Sequence, residues 1–390
     1  MPIDPRDAAI CAATDDVEAG RGGSAPTSAP IVQTSLFTFP SFQALVDGLE
    51  AEHVVPVYTR GRNPTVEAVE RKLAALERGE ACQCFASGMG AISAVLLGLL
   101  RAGDHVLFVN QTYGPTLELA ERLHRFGIEH DLLLDLEPEA VEAALTPATR
   151  LIWLESPGTM LFRVVDLGDV AALGRERDIL TCIDNSWATP LFQKPLEMGI
   201  DLVVHTCSKY LGGHGDLVAG AVVSTAGRIE ELFYGAFLPL GAALGPFDAW
   251  LLGRGLRSLP ARLVRHEADA LRVAEFLAGH PAVRRVYHPA LSEDRDLVAR
   301  QLAGTTGTFS FELERGDFES VRRVIDGLER FKIGVSWGGV ESLVISPNRG
   351  TNVERLDALG IPRGLIRLSV GLEGADLLIA DLEATLAAAA

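Results

Sequence analysis

The sequence predicts an α/β protein in which a large, mostly parallel, doubly wound sheet is followed by a smaller α+β domain. Three observations support this fold class. Between about residues 80 and 254, apolar runs of strand length alternate with helical patterns, which is typical of a sheet covered by helices on both faces. A long helical pattern at about 249–277 then leads into strand-like runs mixed with helices. At 390 residues, the chain is long enough for two or three domains.

Each predicted element can be assigned to a stretch of sequence. Residues 1–61 hold few periodic patterns and many turn formers, which predicts an irregular but ordered segment lying on another surface. The capping signal Asn63-Pro64 opens a helix expected to end near Leu76. Strands are predicted at 81–86, 106–110, 151–155, 179–184, 202–206 and 219–224, with helices at 91–100, 115–126 and 170–177. Later strands are predicted at 283–288, 307–313 and 365–370, and later helices at 318–328 and 375–387.

Composition and charge exclude several classes of protein. The formal net charge of −17 argues against nucleic acid or an acidic membrane face as a partner. The first residues lack the basic and apolar regions of a secretory signal, and no uncharged run is typical of a membrane span. The odd count of five cysteines, two of them in apolar strands, predicts reduced core thiols in a cytoplasmic protein. The nine histidines show no spacing typical of a metal site, so we expect no metal.

Lys209 is an unusual lysine because it follows a buried strand and precedes a glycine-rich turn. The preceding predicted strand, at 179–184, ends in Asp184. A strand-end lysine and a strand-end aspartate are the two groups that a pyridoxal phosphate enzyme needs. The lysine attaches the cofactor, and the aspartate keeps the pyridine nitrogen protonated. A lysine whose stem lies in the core and whose amine reaches water is the common alternative for a single residue.

Most candidate polar residues fall at the carboxyl ends of the predicted strands, where ligands bind in open α/β sheets. Ser87, Gly88 and Met89 follow one strand and open a helix, so their N–H groups and the helix dipole would form an anion site. A dinucleotide turn is the competing interpretation, but only part of that glycine motif is present and no acidic residue ends the next strand. Taken alone, the turn could also be purely structural.

Together these motifs resemble the Cys/Met-metabolism, or trans-sulfuration, family of pyridoxal phosphate enzymes over about residues 17–382, most closely its bacterial cystathionine β-lyase branch. The resemblance implies the type I fold of these enzymes, similar to that of aspartate aminotransferase. It implies pyridoxal 5'-phosphate attached to Lys209, with Asp184 on the pyridine nitrogen, Tyr113 stacked on the ring, and the phosphate at the Ser87–Met89 turn. Thr206 and Ser208, which flank the lysine in sequence, are expected to contact the cofactor. Tyr113 could instead be a packed core tyrosine.

The resemblance also implies an active site shared between subunits of a homotetramer built from dimers. Tyr58 and Arg60 lie in the N-terminal segment, and a phenol with a guanidinium suits a phosphate of the neighbouring subunit. Most arginines are simply solvated, so Arg60 alone would carry little weight. The implied organisation is an intersubunit arm at 1–61, a cofactor domain at 62–254 and a substrate-side domain at 255–390.

The second domain supplies the predicted substrate contacts. Arg367 lies in an apolar strand, where a charge is costly unless it is paired. The resemblance implies that it binds the substrate α-carboxylate, whereas a buried salt bridge is the structural alternative. Ser336 and Trp337 match the family's second substrate-facing motif, and Tyr113 and Tyr58 are also expected to face the substrate.

The expected activity is β-elimination of cystathionine to homocysteine, pyruvate and ammonia, with catalysis by Lys209, Asp184 and Tyr113. Gly158-Thr159, Trp187 and Trp337 resemble the β-lyases, and Val57 stands where γ-lyases often have glutamate. We expect both tryptophans to narrow the pocket. Gly215 departs from the pattern, since the family usually has serine there. A γ-synthase, γ-lyase or sulfhydrylase, or a catalytically silent or recruited cofactor-binding protein, remain alternatives.

Overall fold

The computed structural model describes residues 3–13 and 26–389. Its first sheet has seven strands in the order β1-β7-β6-β5-β4-β2-β3. They are β1 Ala81–Phe85, β2 His105–Val109, β3 Glu129–Leu133, β4 Thr149–Glu155, β5 Leu180–Asp184, β6 Leu202–His205 and β7 Gly220–Ser224. Only β7 runs antiparallel to its neighbours, β1 and β6. The mostly parallel sheet predicted from the sequence is therefore confirmed.

Helices cover both faces of this sheet. Those that precede or belong to the first domain are α1 Pro5–Ala12, α2 Phe42–Glu50, α3 Pro64–Glu77, α4 Gly88–Leu99, α5 Gly114–Leu123, α6 Pro138–Ala143, α7 Leu167–Arg177, α8 Thr189–Phe192, α9 Ala226–Leu232, α10 Leu238–Leu240 and α11 Pro246–Ala278. Within β2, Leu107 packs in the core that contains α3 and α7, whereas Phe108 packs in the core that contains α4 and α9. This alternation gives the doubly wound architecture, because successive strand residues point to opposite faces.

The second domain is built on a five-stranded sheet in the order β10-β11-β12-β9-β8. Its elements are β8 Val283–Tyr287, α12 Arg295–Gln301, β9 Thr308–Leu313, α13 Phe318–Gly327, β10 Lys332–Ile333, β11 Leu343–Ile345, α14 Val353–Ala358, β12 Leu365–Ser369 and α15 Ala375–Ala389. The long α11 contributes Leu252 to the first core and Val273 to the second. The predicted boundary at 254 falls inside this helix, which ties the two domains together.

Three strands were missed, namely β3 and the short β10 and β11, and the N-terminal segment is more helical than predicted. β3 pairs only with β2, and its first residues are polar, as an edge strand allows, so the apolar signal is short. The capped helices α1 and α2 lie within the segment expected to be irregular, while residues 1–2 and 14–25 of that segment lie outside the described residues. Among the described helices, none is long and apolar enough to cross a bilayer.

A buried ion-pair cluster holds α1 against the first domain of the same chain. Asp7 is 1% exposed, and its two carboxylate oxygens lie 2.8 Å from Arg78 Nη2 and 2.8 Å from Lys194 Nζ. Arg78 caps the end of α3 in a left-handed conformation, and Lys194 follows α8. The cluster therefore joins three separate pieces of the first domain, and Cys11 of α1 is fully buried beside it.

Asp7→Asn should lower the free energy of unfolding by about 3 kcal/mol, because it removes the one buried carboxylate that two largely buried cations share, and leaves Arg78 with the more distant, exposed carboxylates of Asp4 and Glu197. Urea denaturation followed by circular dichroism measures the change. Glu176→Gln, at a carboxylate whose side chain is 73% exposed, is the control and should change stability by less than about 1 kcal/mol. Equal stabilities of the Asp7 and Glu176 variants would contradict the role of the cluster.

Candidate active site

The predicted site residues meet at the carboxyl edge of the first sheet. The parallel register of β4, β5 and β6 brings Glu155, Asp184 and the turn after His205 to that edge. Lys209 lies in this turn, and its Nζ donates a hydrogen bond to Ser336 Oγ at 2.7 Å. The same nitrogen is 5.2 Å from the ring centroid of Trp337. The two domains therefore meet at the lysine amine.

The amine of Lys209 lies where a positive charge is disfavoured. Burial, and then the nearby guanidinium of Arg367, lower its pKa to about 8, while Asp184 acts in the opposite direction. A far larger fraction of this amine is therefore neutral near physiological pH than of an ordinary lysine, although the charged form still predominates. A neutral, partly buried amine can act as a nucleophile toward a carbonyl group or accept a proton.

Asp184 ends β5 with its carboxylate oriented by the next turn, where the Ser186 N–H donates to Asp184 Oδ1 at 3.0 Å. Burial raises the pKa of this carboxyl group, while the Ser186 hydrogen bonds, His205 and Lys209 counteract that effect. A buried carboxyl group of this kind is stabilised as the anion when a cation binds opposite it. A protonated ring nitrogen is such a cation.

Glu155 is a second buried carboxyl group, to which the sequence analysis assigned no role. It is 7% exposed and lies beside Asp184 in the register. The Tyr113 N–H donates to Glu155 Oε1 at 2.5 Å, so Glu155 positions the start of α5. Burial, and then the charge of Asp184, raise the pKa of Glu155 well above its usual range. A second negative charge beside Asp184 is therefore disfavoured.

A buried hydrogen-bond network behind Asp184 was also missed. Glu77 and His205 are both fully buried, and Glu77 Oε1 lies 2.5 Å from His205 Nε2. The Asn185 side-chain amide donates to the same oxygen at 2.8 Å. This network joins the end of α3 to the ends of β5 and β6, and so positions the segments that carry Asp184 and Lys209. The sequence signal was His205 inside the apolar strand β6. Its role can be recognised only from the position of its distant partner, Glu77.

The turn at the start of α4 has the geometry of an anion site. Ser87 caps the helix through a hydrogen bond from the Gly90 N–H to its Oγ at 2.9 Å. In the part of the chain that the structure describes, the Gly88 and Met89 N–H groups have no hydrogen-bond partner. A Cβ on Gly88 would lie 2.2 Å from Thr206 Oγ1, so glycine lets this hydroxyl reach the turn. Two free N–H groups and a hydroxyl at a helix N-terminus suit a phosphate.

Ser208 and Tyr113 occupy the same edge. The Ser208 hydroxyl exchanges hydrogen bonds with the backbone of Ala219, so it fixes the lysine turn against the segment that leads into β7. Tyr113 precedes α5 and is 45% exposed, which leaves its ring accessible to a ligand. Burial, and then the charges of Asp184 and Glu155, raise the pKa of its hydroxyl. Gly215 has a φ of +67°, a left-handed conformation that favours glycine.

Arg367 is a buried cation in β12. It is 7% exposed, and its guanidinium donates to the Val335 carbonyl at 2.9 Å. Among the residues described, it forms no ion pair, so the salt bridge considered from the sequence is not found. Burial lowers its pKa to about 10. A buried guanidinium without a carboxylate partner is prepared to bind an anion.

Three predicted contributors, Tyr58, Arg60 and Trp187, lie elsewhere in the chain. Tyr58 and Arg60 border a surface hollow with Gln33, Thr34 and Ser35, and none of their contacts within residues 3–13 and 26–389 joins them to Lys209 or Asp184. The Trp187 ring is 6% exposed, packs on Phe162, and donates its indole N–H to the Thr308 carbonyl at 2.8 Å. The expectation that Trp187 narrows the pocket therefore lacks support, because it packs in the second-domain core.

Comparisons with known proteins agree over nearly the whole chain. The sequence profile described as "Cys/Met metabolism PLP-dependent enzyme" matches residues 13–387. L-methionine gamma-lyase of Pseudomonas putida is 41% identical over 371 residues, covering 93% of this chain and 92% of that protein. Cystathionine gamma-synthase of Mycobacterium tuberculosis is 38% identical over 387 residues, covering 96% of each. The crystal structure of cystathionine gamma synthase from Xanthomonas oryzae in complex with aminoacrylate and cysteine superimposes with a TM-score of 0.90 at 37% identity, covering 100% of this chain and 99% of that one.

Amine-acylating reagents should label Lys209 of the cofactor-free protein with a midpoint near pH 8, because only the neutral amine reacts and its pKa is lowered to about that value. Arg367→Met should move the midpoint upward by removing the neighbouring positive charge. Mass spectrometry of Lys209 peptides across a pH series measures both, with exposed Lys332 correcting for reagent decay. A Lys209 midpoint near 10.4, the ordinary lysine value, would contradict the proposed environment.

Proposed function

Because the chain belongs to the Cys/Met metabolism family of pyridoxal phosphate enzymes, we propose that it is a carbon–sulfur lyase that catalyses β-elimination from a sulfur-containing amino acid. Cystathionine is the expected substrate. With one water it gives homocysteine, pyruvate and ammonia. The single observation that carries this choice is the Trp337 ring, which lies 5.2 Å from Lys209 Nζ and also packs on Tyr210.

The residues present fit pyridoxal 5'-phosphate, the cofactor of this family. Lys209 would attach it, Asp184 would hold its pyridine nitrogen, and Tyr113 would stack on its ring. The Gly88 and Met89 N–H groups, with Ser87 and Thr206, would hold the phosphate, and Ser208 would support the lysine turn. When bound, the cofactor draws electron density from the substrate Cα.

The remaining chemistry falls to side chains of this chain. Arg367 binds the substrate α-carboxylate, which compensates its buried charge. The Lys209 amine, released when the substrate binds, takes the proton from the substrate Cα, and its lowered pKa suits a base near neutral pH. Loss of the Cα proton drives the thiolate from the β-carbon. Asp184 would hold the pyridine nitrogen of the bound cofactor, and Ser336 holds the lysine amine through its hydrogen bond.

The choice of β over γ chemistry depends on the pocket wall. γ-Elimination needs a second proton removed at Cβ and a longer side chain held over the ring. The Trp337 ring leaves less room for it, and Val57, in the arm proposed below to come from a second subunit, offers no acidic anchor. Trp337 resembles the β-lyases, since γ-enzymes more often have leucine there. The relatives named above are γ-enzymes, which makes a γ-lyase or γ-synthase the second candidate.

A catalytically silent protein is disfavoured, because Lys209, Asp184, Tyr113 and Arg367 are all present and the first two lie at the same sheet edge. Recruitment to another substrate of the same class would change the side-chain pocket and leave these residues in place. The assay of reaction products therefore decides among the candidates.

With cystathionine, the purified enzyme should release mainly pyruvate and homocysteine, measured by chromatography of the derivatised oxo acids and thiols. Trp337→Leu should raise the share of 2-oxobutyrate and cysteine, because it opens space for the longer, four-carbon arm of the substrate, from which γ-elimination expels cysteine. Trp337→Phe, which keeps an aromatic wall, is the matched control and should retain pyruvate as the main product. Mainly 2-oxobutyrate from the unsubstituted enzyme, or exclusive use of an O-acylhomoserine, would refute β-elimination.

The site is further proposed to be completed by Tyr58 and Arg60 of a second subunit in an active-site-sharing dimer, two of which form a tetramer. Support comes from the exposed side chains around these residues. Leu36, Phe42, Leu49, Val54 and Tyr58 are 46–80% exposed, an unusual concentration of apolar surface. Their burial against a second copy would bring the arm of one chain toward the site of another.

Mixing inactive Arg60→Ala with inactive Lys209→Ala chains should restore activity, because each hybrid dimer then contains one site with both residues intact. Activity is measured on hybrids isolated by two different affinity tags, with homodimers of each variant as controls. If hybrids of confirmed composition stay as inactive as the parent variants, the two residues act within one chain.

A further inference from the structure

Three potential metal ligands converge at the end of α5 that is opposite to Tyr113. They are Glu121 on α5, His124 in the 3₁₀ turn His124–Phe126 that follows it, and His130 on the edge strand β3. Their ligand atoms all lie within 4.8 Å of one another. His124 Nε2 and His130 Nδ1 are 2.9 Å apart. None of these residues belongs to the proposed catalytic site.

The distance between His124 Nε2 and His130 Nδ1 is close to that between two imidazole nitrogens bound to one metal ion. Two nitrogens bound to one zinc ion at about 2.0–2.1 Å lie about 3–3.4 Å apart, so the two rings need to separate only slightly. Glu121 and His124 are exposed and can adjust. Glu129 Oε2, 3.5 Å from His124 Nε2, offers a further oxygen ligand. Two nitrogens and two carboxylate oxygens can thus surround one ion.

The surroundings hold one ligand in place and favour a cation. His130 is half-buried, with its ring edge-on to Phe108. Asp131, which lies 3.3 Å from His105 through Oδ2, adds another carboxylate near the cluster.

We propose that Glu121, His124 and His130 form a binding site for a divalent transition-metal ion of the zinc class. The donor set of imidazole nitrogen and carboxylate oxygen favours zinc over magnesium or calcium. The ion would clamp the end of α5 to β3, a strand that has only β2 as a neighbour. Sequence spacing did not reveal the site because His130 reaches it through the reverse turn between α5 and β3.

Titration of the tag-free holoenzyme with zinc chloride, followed by calorimetry, tests the site. We expect saturable binding of one zinc ion per chain and no heat with magnesium chloride. Zinc should also raise the thermal midpoint, since it binds the folded state. His124→Gln and His130→Gln should each weaken zinc binding about tenfold or more, whereas His280→Gln, at a histidine outside the cluster, should not.

Crystals soaked in zinc chloride should give an anomalous difference peak between His124 and His130. If His130→Gln fails to fold, His124→Gln decides the question, because its side chain is 37% exposed and its loss leaves the core intact. The proposal is wrong if zinc does not bind at one equivalent, if both histidine variants bind it as tightly as the unsubstituted enzyme, or if the anomalous peak lies elsewhere.

Discussion

The burial of positive charge at the domain junction is the constraint on which the site depends. Lys209 and Arg367 both lie where water solvates them poorly. The pKa of the Lys209 amine is lowered by its own burial and by the positive charge of Arg367. Asp184 compensates only in part, because burial also disfavours its own charge. The site contains these two incompletely paired cations, a helix N-terminus with free N–H groups and one buried carboxylate. Binding of a ligand with anionic groups would stabilise it. A phosphorylated cofactor and an amino-acid carboxylate satisfy that requirement.

The sequence predicted those features that depend on local pattern. Asp184 and Lys209 were recognisable because each follows an apolar run, and the rule that ligands bind beyond strand ends then placed them together. β3 was missed because its first half is polar, and α1 was missed because its apolar side is short and packs on distant helices. Glu155 and the Glu77–His205 pair were missed as functional residues for a different reason. Their significance comes from partners more than 25 residues away, at Asp184, Tyr113 and Asn185, and no local pattern encodes such pairing.

Two predictions about aromatic and imidazole side chains illustrate the same limit. Trp187 and Trp337 were expected to act alike, yet the fold buries one in the second-domain core and places the other beside the lysine amine. The spacing of the histidines indicated no metal site, and it also gave no sign that chain reversal brings His124 and His130 into contact. Residue type and spacing identify candidates, whereas the direction of each side chain decides between packing and chemistry. The same reasoning explains why family membership leaves β and γ elimination unresolved: the shared fold positions the cofactor, and a few wall residues select the bond that breaks.

The central claim is that the buried amine of Lys209 carries the cofactor. Reduction of the purified enzyme with sodium borohydride, followed by proteolysis and mass spectrometry, tests it directly, because reduction makes the bond between cofactor and amine permanent. The account predicts a single pyridoxyl-modified peptide containing Lys209, and no modification in a Lys209→Ala variant treated identically. Modification of another lysine in the unsubstituted enzyme, or a protein that takes up no cofactor, would contradict it.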